Sequence, residues 1–280
     1  MKKLLSILLA FVLLFSACAK SSTTETLDQI ENLGSKERPV KIGVVGENNE
    51  VWESVKERLE AQDIFLEIIT FTSYNEPNEA LVSRDLDLNS FQHQHFLDNF
   101  NKEKKSDISS VAQTVLAPLG LYSKKITDIS QVKEGDKIAI PDDVTNGSRS
   151  LILLQSAGLI KVDGQPGEAL TLDNISENPL KLEIIELEAN QTARALDEVV
   201  LSSINNGLAT DAGFVPTQDA VFLEAVDENS KPFINIIAAN ASDVNNDIVK
   251  KIVAEYQTDM TAIVIDESTK GSQIPAWNLE

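Results

Sequence analysis

The sequence predicts an α/β protein of two lobes, each a mainly parallel sheet flanked by helices, with the chain crossing between the lobes twice. Three observations support this prediction. Short apolar runs typical of buried strands alternate with apolar residues spaced as on one face of a helix. This alternation runs over residues 41–100 and restarts over residues 137–205. Two long extended segments, near residues 117–122 and 234–240, join the two sets.

The first set of elements follows a polar N-terminal segment. Residues 41–45 form an apolar run typical of a buried strand, and Val51, Val55 and Leu59 then predict a helix with one apolar stripe. The other predicted elements of this set are a strand at 65–71, a short helix at 78–82 capped by Asn78, a brief strand at 85–88, a helix around 96–100 and an extended stretch at 111–122.

The second set repeats the pattern. Residues 137–140 predict a strand, 141–147 a turn-rich loop, and 148–157 a helix that Gly158 stops. The later predicted elements are a strand at 182–187, a helix at 189–196, strands at 199–205 and 232–239, and a closing helix at 247–256. We therefore expect a first lobe made of residues 39–119 and 240–280, and a second lobe made of residues 120–239.

Composition excludes several classes of protein. The chain has 280 residues, 42% of them hydrophobic, which is enough for a sizeable core in each of two domains. A formal charge of −20 would repel phosphate backbones, so we expect no nucleic-acid partner. A single cysteine excludes a disulfide scaffold, a cysteine-based zinc site and an iron–sulfur cluster.

The N-terminus has the features of a secretory signal peptide. Lys2 and Lys3 precede an apolar run over residues 4–15, which is too short to cross a hydrocarbon core of ~30 Å as a helix. Positive charges before such a run and small residues after it are typical of a cleaved signal, here residues 1–17.

The end of this signal resembles a bacterial lipobox. In Phe15-Ser-Ala-Cys18 the cysteine would become the lipidated first residue of the mature protein, although Phe15 stands where leucine or valine is usual. The alternative is that Cys18 is an ordinary residue of the apolar signal segment. Residues 18–38 are polar and rich in serine, threonine and acidic side chains, so we expect a flexible tether between a lipid anchor and the folded body.

The motifs of common enzymes are missing from the sequence. It contains no G-x-x-x-x-G-K-[ST] phosphate loop, no G-x-G-x-x-G after a strand and no G-x-S-x-G elbow. The pair His93-x-His95 would point both rings to one side of a strand and could clamp a metal, but it would need carboxylates to complete the site. We therefore expect neither an enzyme nor a metal protein.

Three segments remain as candidate ligand-binding elements, and each includes residues at or after the C-terminal end of a predicted strand. They are residues 71–78, 85–101 and 141–149. Open α/β sheets bind ligands at the C-terminal ends of their strands. A helix start beside the guanidinium of Arg149 would suit a carboxylate. The alternative for Arg149 is an ordinary solvated arginine on the surface. Phe91 and Phe96 could equally be ordinary core residues.

Together these segments resemble the NlpA lipoprotein family, the methionine-binding lipoproteins of ABC importers. The resemblance spans residues 39–277, with matches in order and spacing at residues 74–78, 91–101, 118–125, 141–160, 187–196 and 233–237. It implies a type II periplasmic-binding-protein fold that closes around one amino acid without chemistry or cofactor. It also implies a protein on the outer face of the cell membrane that passes its ligand to a permease driven by an ATPase.

The resemblance further implies which residues form the pocket. They are Tyr74, Phe91, His93 and Phe96 from the first lobe, and Arg149, Asn205 and Asn235 from the second lobe and its hinge. Arg149 and Asn205 would meet the α-carboxylate, and Asn235 would help to hold the ammonium group. The aromatic rings would form a slot for a thioether.

Two departures from the family leave the ligand open. Phe96 stands where the family usually has tyrosine, and Asn206-Gly207-Leu208 replaces a segment that usually includes an aromatic residue. Methionine, another apolar amino acid and a methionine-containing dipeptide all fit this pattern. A surface lipoprotein with a mainly adhesive role is the alternative from another class, and it would not need polar groups that converge on a cleft.

Overall fold

The computed structural model describes residues 32–279 of the chain. The predicted signal peptide at residues 1–17, the predicted lipidation site Cys18 and the first part of the predicted tether lie outside the described residues. The end of that tether belongs to the folded body. Leu33 packs against the first core, and Arg38 forms an ion pair with Asp87 at 2.7 Å. The folded part therefore begins several residues before the predicted residue 39.

Strands and helices alternate along most of the described chain. The strands are β1 (Val40–Val45), β2 (Leu66–Phe71), β3 (Leu88–Asn89), β4 (Ile108–Leu116), β5 (Gly120–Tyr122), β6 (Lys137–Pro141), β7 (Lys161–Val162), β8 (Ile175–Glu177), β9 (Glu183–Leu187), β10 (Leu201–Ile204), β11 (Phe222–Leu223), β12 (Ile234–Asn240) and β13 (Ile274–Pro275). The α-helices are α1 (Glu50–Glu60), α2 (Pro77–Val82), α3 (Gln94–Lys104), α4 (Val144–Ser156), α5 (Asn206–Asp211), α6 (Pro216–Asp219), α7 (Asp247–Tyr256) and α8 (Asp259–Thr269).

The first sheet has the strand order β13-β4-β12-β3-β1-β2. Strand β1 pairs in parallel with β2 and β3, whereas β12 runs antiparallel between β3 and β4. Val40 and Ile42 of β1 pack with Val55 and Leu59 of α1 in one core, because alternate strand residues and one helix stripe face each other. This sheet and its helices form the first lobe.

The second sheet has the order β11-β5-β10-β6-β9. Strand β6 pairs in parallel with β9 and β10, and β5 runs antiparallel beside β10. Ile138 and Ile140 of β6 pack with Leu151 and Leu154 of α4 in a separate core. Two sheets with separate cores confirm the predicted two-lobed α/β architecture.

The chain crosses between the two sheets at two places. Residues 117–119 lead from β4 to β5, and residues 224–233 lead from β11 to β12. We call these the first and second crossing segments, and they correspond to the predicted double crossover. Strand β12 pairs with β3 and β4, so residues 234–239 lie in the first sheet and not in the second lobe, to which the sequence analysis assigned them.

The structure corrects two predicted helix starts. Helix α4 begins at Val144 and not at residue 148, because Asp143 caps it by accepting from the backbone N–H of Asn146 at 2.9 Å. The predicted loop at 141–147 is therefore largely the first turn of a helix. Helix α2 begins at Pro77, so Asn78 lies within it and is not its cap.

One further helix prediction is wrong, and one long helix of the structure has no predicted counterpart. Residues 189–196 form two short 3-10 segments, since the Thr192 hydroxyl donates to Ala189 O at 2.7 Å and so competes with a helical ladder. Helix α8 was not predicted at all. Its sequence contains the β-branched run Ile263-Val-Ile265, which favours a strand, and Thr258 caps it by accepting from Thr261 N–H.

Candidate functional site

A cavity of about 170 Å³ lies between the two lobes. All seven residues that the sequence analysis selected as ligand-binding line this cavity: Tyr74, Phe91, His93, Phe96, Arg149, Asn205 and Asn235. They come from the loop after β2, the segment between β3 and α3, the first turn of α3, helix α4, the end of β10 and the start of β12. The cavity thus lies where strands of both sheets end, as in other open α/β folds.

Three rings form the wall of the cavity on the first lobe. The ring centroids of Tyr74 and Phe91 are 5.9 Å apart, those of Phe91 and Phe96 are 5.8 Å apart, and those of Tyr74 and Phe96 are 6.3 Å apart. These separations and the tilted or edge-on orientations are favourable for aromatic contacts. We call Tyr74, Phe91 and Phe96 the aromatic wall, and it suits an apolar or sulfur-containing group.

A buried set of three amides adjoins this wall. Asn78 and Gln92 exchange two hydrogen bonds, with Asn78 Nδ2 donating at 2.8 Å and Gln92 Nε2 donating back at 2.7 Å. Asn89 Nδ2 donates to Asn78 Oδ1 at 2.9 Å, and Asn89 Oδ1 accepts from Gln92 Nε2 at 3.0 Å. Since Gln92 lies between Phe91 and His93, this amide triad fixes the backbone that carries two cavity side chains.

His93 is neutral and has a defined tautomer. Its Nδ1 accepts from the backbone N–H of Phe96 at 3.0 Å, so the proton is on Nε2, which faces Asn146 Oδ1 of the second lobe at 3.3 Å. Burial, with the nearby Arg149 charge, lowers the pKa of His93 to about 3. Both ring nitrogens are therefore engaged. Among residues 32–279 no group of three metal-ligating side chains is gathered.

A chain of hydrogen bonds sets the orientation of the amides on the second lobe. Asn146 Nδ2 donates to both carboxylate oxygens of Asp143, at 3.1 and 2.9 Å, so its Oδ1 must point the other way. That oxygen accepts from Asn205 Nδ2 at 2.8 Å. Asn205 Oδ1 is consequently left buried, and it has no hydrogen-bond partner among the described residues. A buried free acceptor in a cavity wall indicates a place for a donor from a ligand.

Arg149 is 4% exposed and contacts both crossing segments. Its Nε and Nη2 donate to the two carboxylate oxygens of Glu224, at 2.8 and 2.5 Å, and Nη2 also donates to Ala117 O at 3.1 Å. The guanidinium lies over the ring of Phe233, 4.4 Å from its centroid. Nη1 is the one guanidinium nitrogen without a hydrogen-bond partner in the described part of the chain.

Asn235 completes the cavity lining from strand β12 of the first sheet. Its backbone bridges to that of His93, and the next residue, Ile236, donates its N–H to Gln92 O at 2.9 Å. These backbone contacts hold Asn235 beside the amide triad. We call Asn146, Arg149 and Asn205 the polar wall, which faces the aromatic wall across the cavity.

The lobes are joined at the rims of the cavity as well as within it. Asp211 of the second lobe accepts from the backbone N–H groups of Glu47 and Asn48 at 3.0 and 3.1 Å. Gly46 allows this approach, because it has a φ of +101° and a Cβ there would lie 2.4 Å from Asp211 Oδ2. At the other rim, Ser73 donates to Glu188 at 2.5 Å. The cleft is therefore in a closed arrangement.

Sequence reasoning missed three residues of this site. Asn146 and Glu224 set the orientations of Asn205 and Arg149, and Asp211 joins the lobes. A local signal existed for Asn146, three residues after a capping aspartate at a helix start. Glu224 is 75 residues from Arg149, and no spacing in the sequence connects them.

Two α/β lobes, joined by two crossing segments around a cavity that both lobes line, define a two-lobed solute-binding protein. The family model described as NlpA lipoprotein matches residues 40–277, and the chain belongs to this family. Within residues 32–279, every helix is too short or too polar to cross a membrane.

The chain is similar to proteins with related names in several bacteria. It is 39% identical to outer membrane lipoprotein 3 of Mannheimia haemolytica, over 86% of this chain and 92% of that one. It is 38% identical to the probable D-methionine-binding lipoprotein MetQ of Vibrio cholerae, over 85% and 88% of the two chains.

Solved structures support the same relationship. Protein PG110 of Staphylococcus aureus is 44% identical with a TM-score of 0.82, covering 85% of this chain and 94% of that one. The substrate-binding protein of a methionine transporter from Streptococcus pneumoniae is 40% identical with a TM-score of 0.82, covering 85% and 96%. A nutrient-binding protein of Burkholderia cenocepacia bound to methionine is 39% identical with a TM-score of 0.81, covering 85% and 99%.

Proposed function

We propose that this protein is the substrate-binding lipoprotein of an ABC importer and that it binds methionine, or a close apolar amino acid, between its lobes. One observation carries the proposal. The polar wall offers a buried free acceptor, Asn205 Oδ1, and a free guanidinium nitrogen, Arg149 Nη1, opposite an aromatic wall. These groups complement the ammonium, the carboxylate and the side chain of an apolar amino acid.

The charged ends of the ligand would take different partners. Arg149 Nη1 would donate to the α-carboxylate, a charge-assisted bond of the stronger kind. Asn205 would accept from the ammonium group, since its Nδ2 already donates to Asn146. This assignment differs from the resemblance, which implied that Asn205 meets the carboxylate. Asn235 would provide a further acceptor for the ammonium group.

The aromatic wall would receive the ligand side chain. A thioether sulfur near the edges of Tyr74, Phe91 and Phe96 would gain ~0.3–1.5 kcal/mol per aromatic contact, beyond the burial of its methylenes. The names of two similar proteins support methionine, since one is named a probable D-methionine-binding lipoprotein and another belongs to a methionine transporter.

We further propose an extracytoplasmic protein, anchored to the membrane through acylated Cys18, that delivers its ligand to a permease and its ATPase without a chemical reaction. Relatives named as lipoproteins support the anchor. The absence of chemistry is supported by His93, a histidine that lines the cavity, because both of its ring nitrogens are engaged. A Cys18→Ala chain that still partitions with membranes after signal cleavage would contradict the anchor.

The ligand is tested first by mass spectrometry of small molecules released from the denatured protein, because closed sites retain ligand. Protein unfolded and refolded without ligand is then titrated with L-methionine, D-methionine, leucine and a methionine-containing dipeptide. At ~100 times Kd, a true ligand stabilises the native state by ~2.7 kcal/mol. We expect the largest rise in melting temperature, ~5–10 °C, with a methionine enantiomer.

The comparison among ligands separates the alternatives. A shift with a dipeptide or another amino acid, and none with either methionine enantiomer, would reject methionine and keep the importer role. Refolded protein that responds to no amino acid or small peptide would favour the mainly adhesive surface role.

A further inference from the structure

Glu224 is the counter-ion of the cavity arginine. Both of its carboxylate oxygens accept from Arg149, and Oε2 also accepts from the backbone N–H of Leu119 in the first crossing segment at 3.0 Å. The Arg149 side chain is 4% exposed and that of Glu224 is 18% exposed, so the pair is largely desolvated. A buried guanidinium requires such a partner.

Glu224 influences the cavity through its ion pair with Arg149. Arg149 lines the cavity, whereas Glu224 does not belong to the described residues that line it. The carboxylate occupies the Nε and Nη2 edge of the guanidinium and leaves Nη1 on the free side. Glu224 therefore fixes which guanidinium nitrogen a ligand can reach.

The charges around the cavity favour a ligand that brings its own positive group. Arg149 and Asp211 are the charged residues of the described lining, and His93 is neutral. With Glu224 paired to Arg149, the positive charge of the arginine is balanced before any ligand enters. A ligand carboxylate without an ammonium group would add a net negative charge to a site that already holds Asp211.

We propose that Glu224 is a specificity-determining positioning residue, which makes the site select zwitterions and reject simple carboxylates. This inference rests on the proposed function, in which Arg149 meets a ligand carboxylate. Glu224 acts through Arg149 and contributes attraction to the ammonium group of the ligand. An anion with the same side chain gains nothing from that attraction and is repelled.

The test compares two probes on the full-length chain in detergent after removal of copurified ligand. The probes are L-methionine and 4-(methylthio)butanoate, which has the same carboxylate and thioether but lacks the ammonium group. Calorimetric titration gives the ratio of the two dissociation constants for the wild type and for Glu224→Gln. We expect the preference for L-methionine to fall about tenfold or more in Glu224→Gln, the order expected for one unit charge acting across a partly buried site.

Matched variants separate charge from structure. Glu224→Asp keeps the charge and should keep the wild-type ratio, and Glu228→Gln removes an exposed charge from the same crossing segment and should also keep it. If Glu224→Gln does not fold, Glu224→Ala gives the same comparison. An unchanged ratio in the charge-removing variants, even with both affinities reduced, would overturn the inference. A wild type that does not bind L-methionine would instead contradict the proposed function.

Discussion

The two walls of the cavity are held in place by different kinds of interaction. The aromatic wall of the first lobe rests on the amide triad, in which neutral side chains satisfy one another. The polar wall of the second lobe rests on carboxylates, since Glu224 holds Arg149 and Asp143 holds Asn146. Burial raises the pKa of Asp143 above its ordinary value, despite hydrogen bonds from Asn146 and Thr145.

This difference predicts how each wall would respond to substitutions and to pH. A satisfied neutral network is insensitive to salt and pH and mainly fixes geometry. A complete buried ion pair can contribute almost nothing to the free energy of unfolding. The loss of one partner, however, is costly because it leaves the other charge buried and unpaired. We therefore expect substitutions and pH to affect the polar wall more than the aromatic wall.

The largest effect is expected for Arg149→Ala. It should weaken methionine binding by more than ~100-fold, since a bond to a charged group is lost and the ligand carboxylate is left poorly paired. It should also lower the free energy of unfolding by ~3 kcal/mol, because Glu224 loses its partner. Calorimetric titration and urea unfolding measure the two effects.

Arg58→Ala is the matched control in the first lobe. Arg58 forms an ion pair with Glu255 at 2.6 Å, with 23% of its side chain accessible, and it does not line the cavity. Its loss should reduce stability and leave methionine affinity unchanged. Equal losses of affinity in the two variants would show that the Arg149 effect comes from the fold.

A second large effect is expected from pH through His93, which joins the two walls. In the closed form burial lowers its pKa to about 3, whereas an exposed histidine has a value of 6.5. The open form therefore binds protons that the closed form excludes, and closure is favoured above pH 6.5 and progressively lost below it. Between pH 7.5 and 5, we expect the methionine Kd to rise by roughly 20- to 30-fold.

His93→Asn tests the origin of this dependence. Asparagine can still cap helix α3 by accepting from Phe96 N–H, but it does not titrate. Titrations at both pH values should therefore show a much flatter profile. A wild-type Kd that is the same at pH 7.5 and 5 would contradict the neutral, enclosed histidine.

On the aromatic wall we expect a smaller effect. Phe91→Ala should raise the methionine Kd by ~10-fold, since it removes apolar contact with the ligand side chain. Tyr74→Phe is the control, because the Tyr74 hydroxyl makes no hydrogen bond within the described residues and the ring is kept. Competition binding against leucine would show whether Phe91 discriminates the thioether. If Tyr74→Phe lowered the methionine affinity as much as Phe91→Ala does, the apolar role of this wall would be contradicted.

The smallest effect is expected at the rim. Asp211→Asn keeps an acceptor for one backbone N–H of residues 47 and 48 but loses the charge and one bond. We expect a ~5-fold higher Kd, mainly through faster release, which stopped-flow measurement of dissociation would detect. A change confined to the association rate would place Asp211 outside the closing contact.

Local sequence patterns, together with the family resemblance, predict the two-lobed architecture and seven of the side chains that line the cavity. Local periodicity predicts the alternation of strands and helices, as in the apolar run at 41–45 and the helix stripe of Val51, Val55 and Leu59. The seven cavity residues lie at the ends of such elements, within motifs that resemble a family. Helix α8 was missed because its β-branched run favours a strand, and its packing decided otherwise.

Contacts between residues far apart in the sequence set which groups of each cavity residue remain free to bind a ligand. Asn205 presents an acceptor because Asn146, 59 residues away, uses its amide nitrogen. Arg149 presents Nη1 because Glu224, 75 residues away, occupies its other edge. Hydrogen bonds are directional and saturable, so the partner that a side chain finds across the fold sets the group that remains free, and no local spacing encodes that partner.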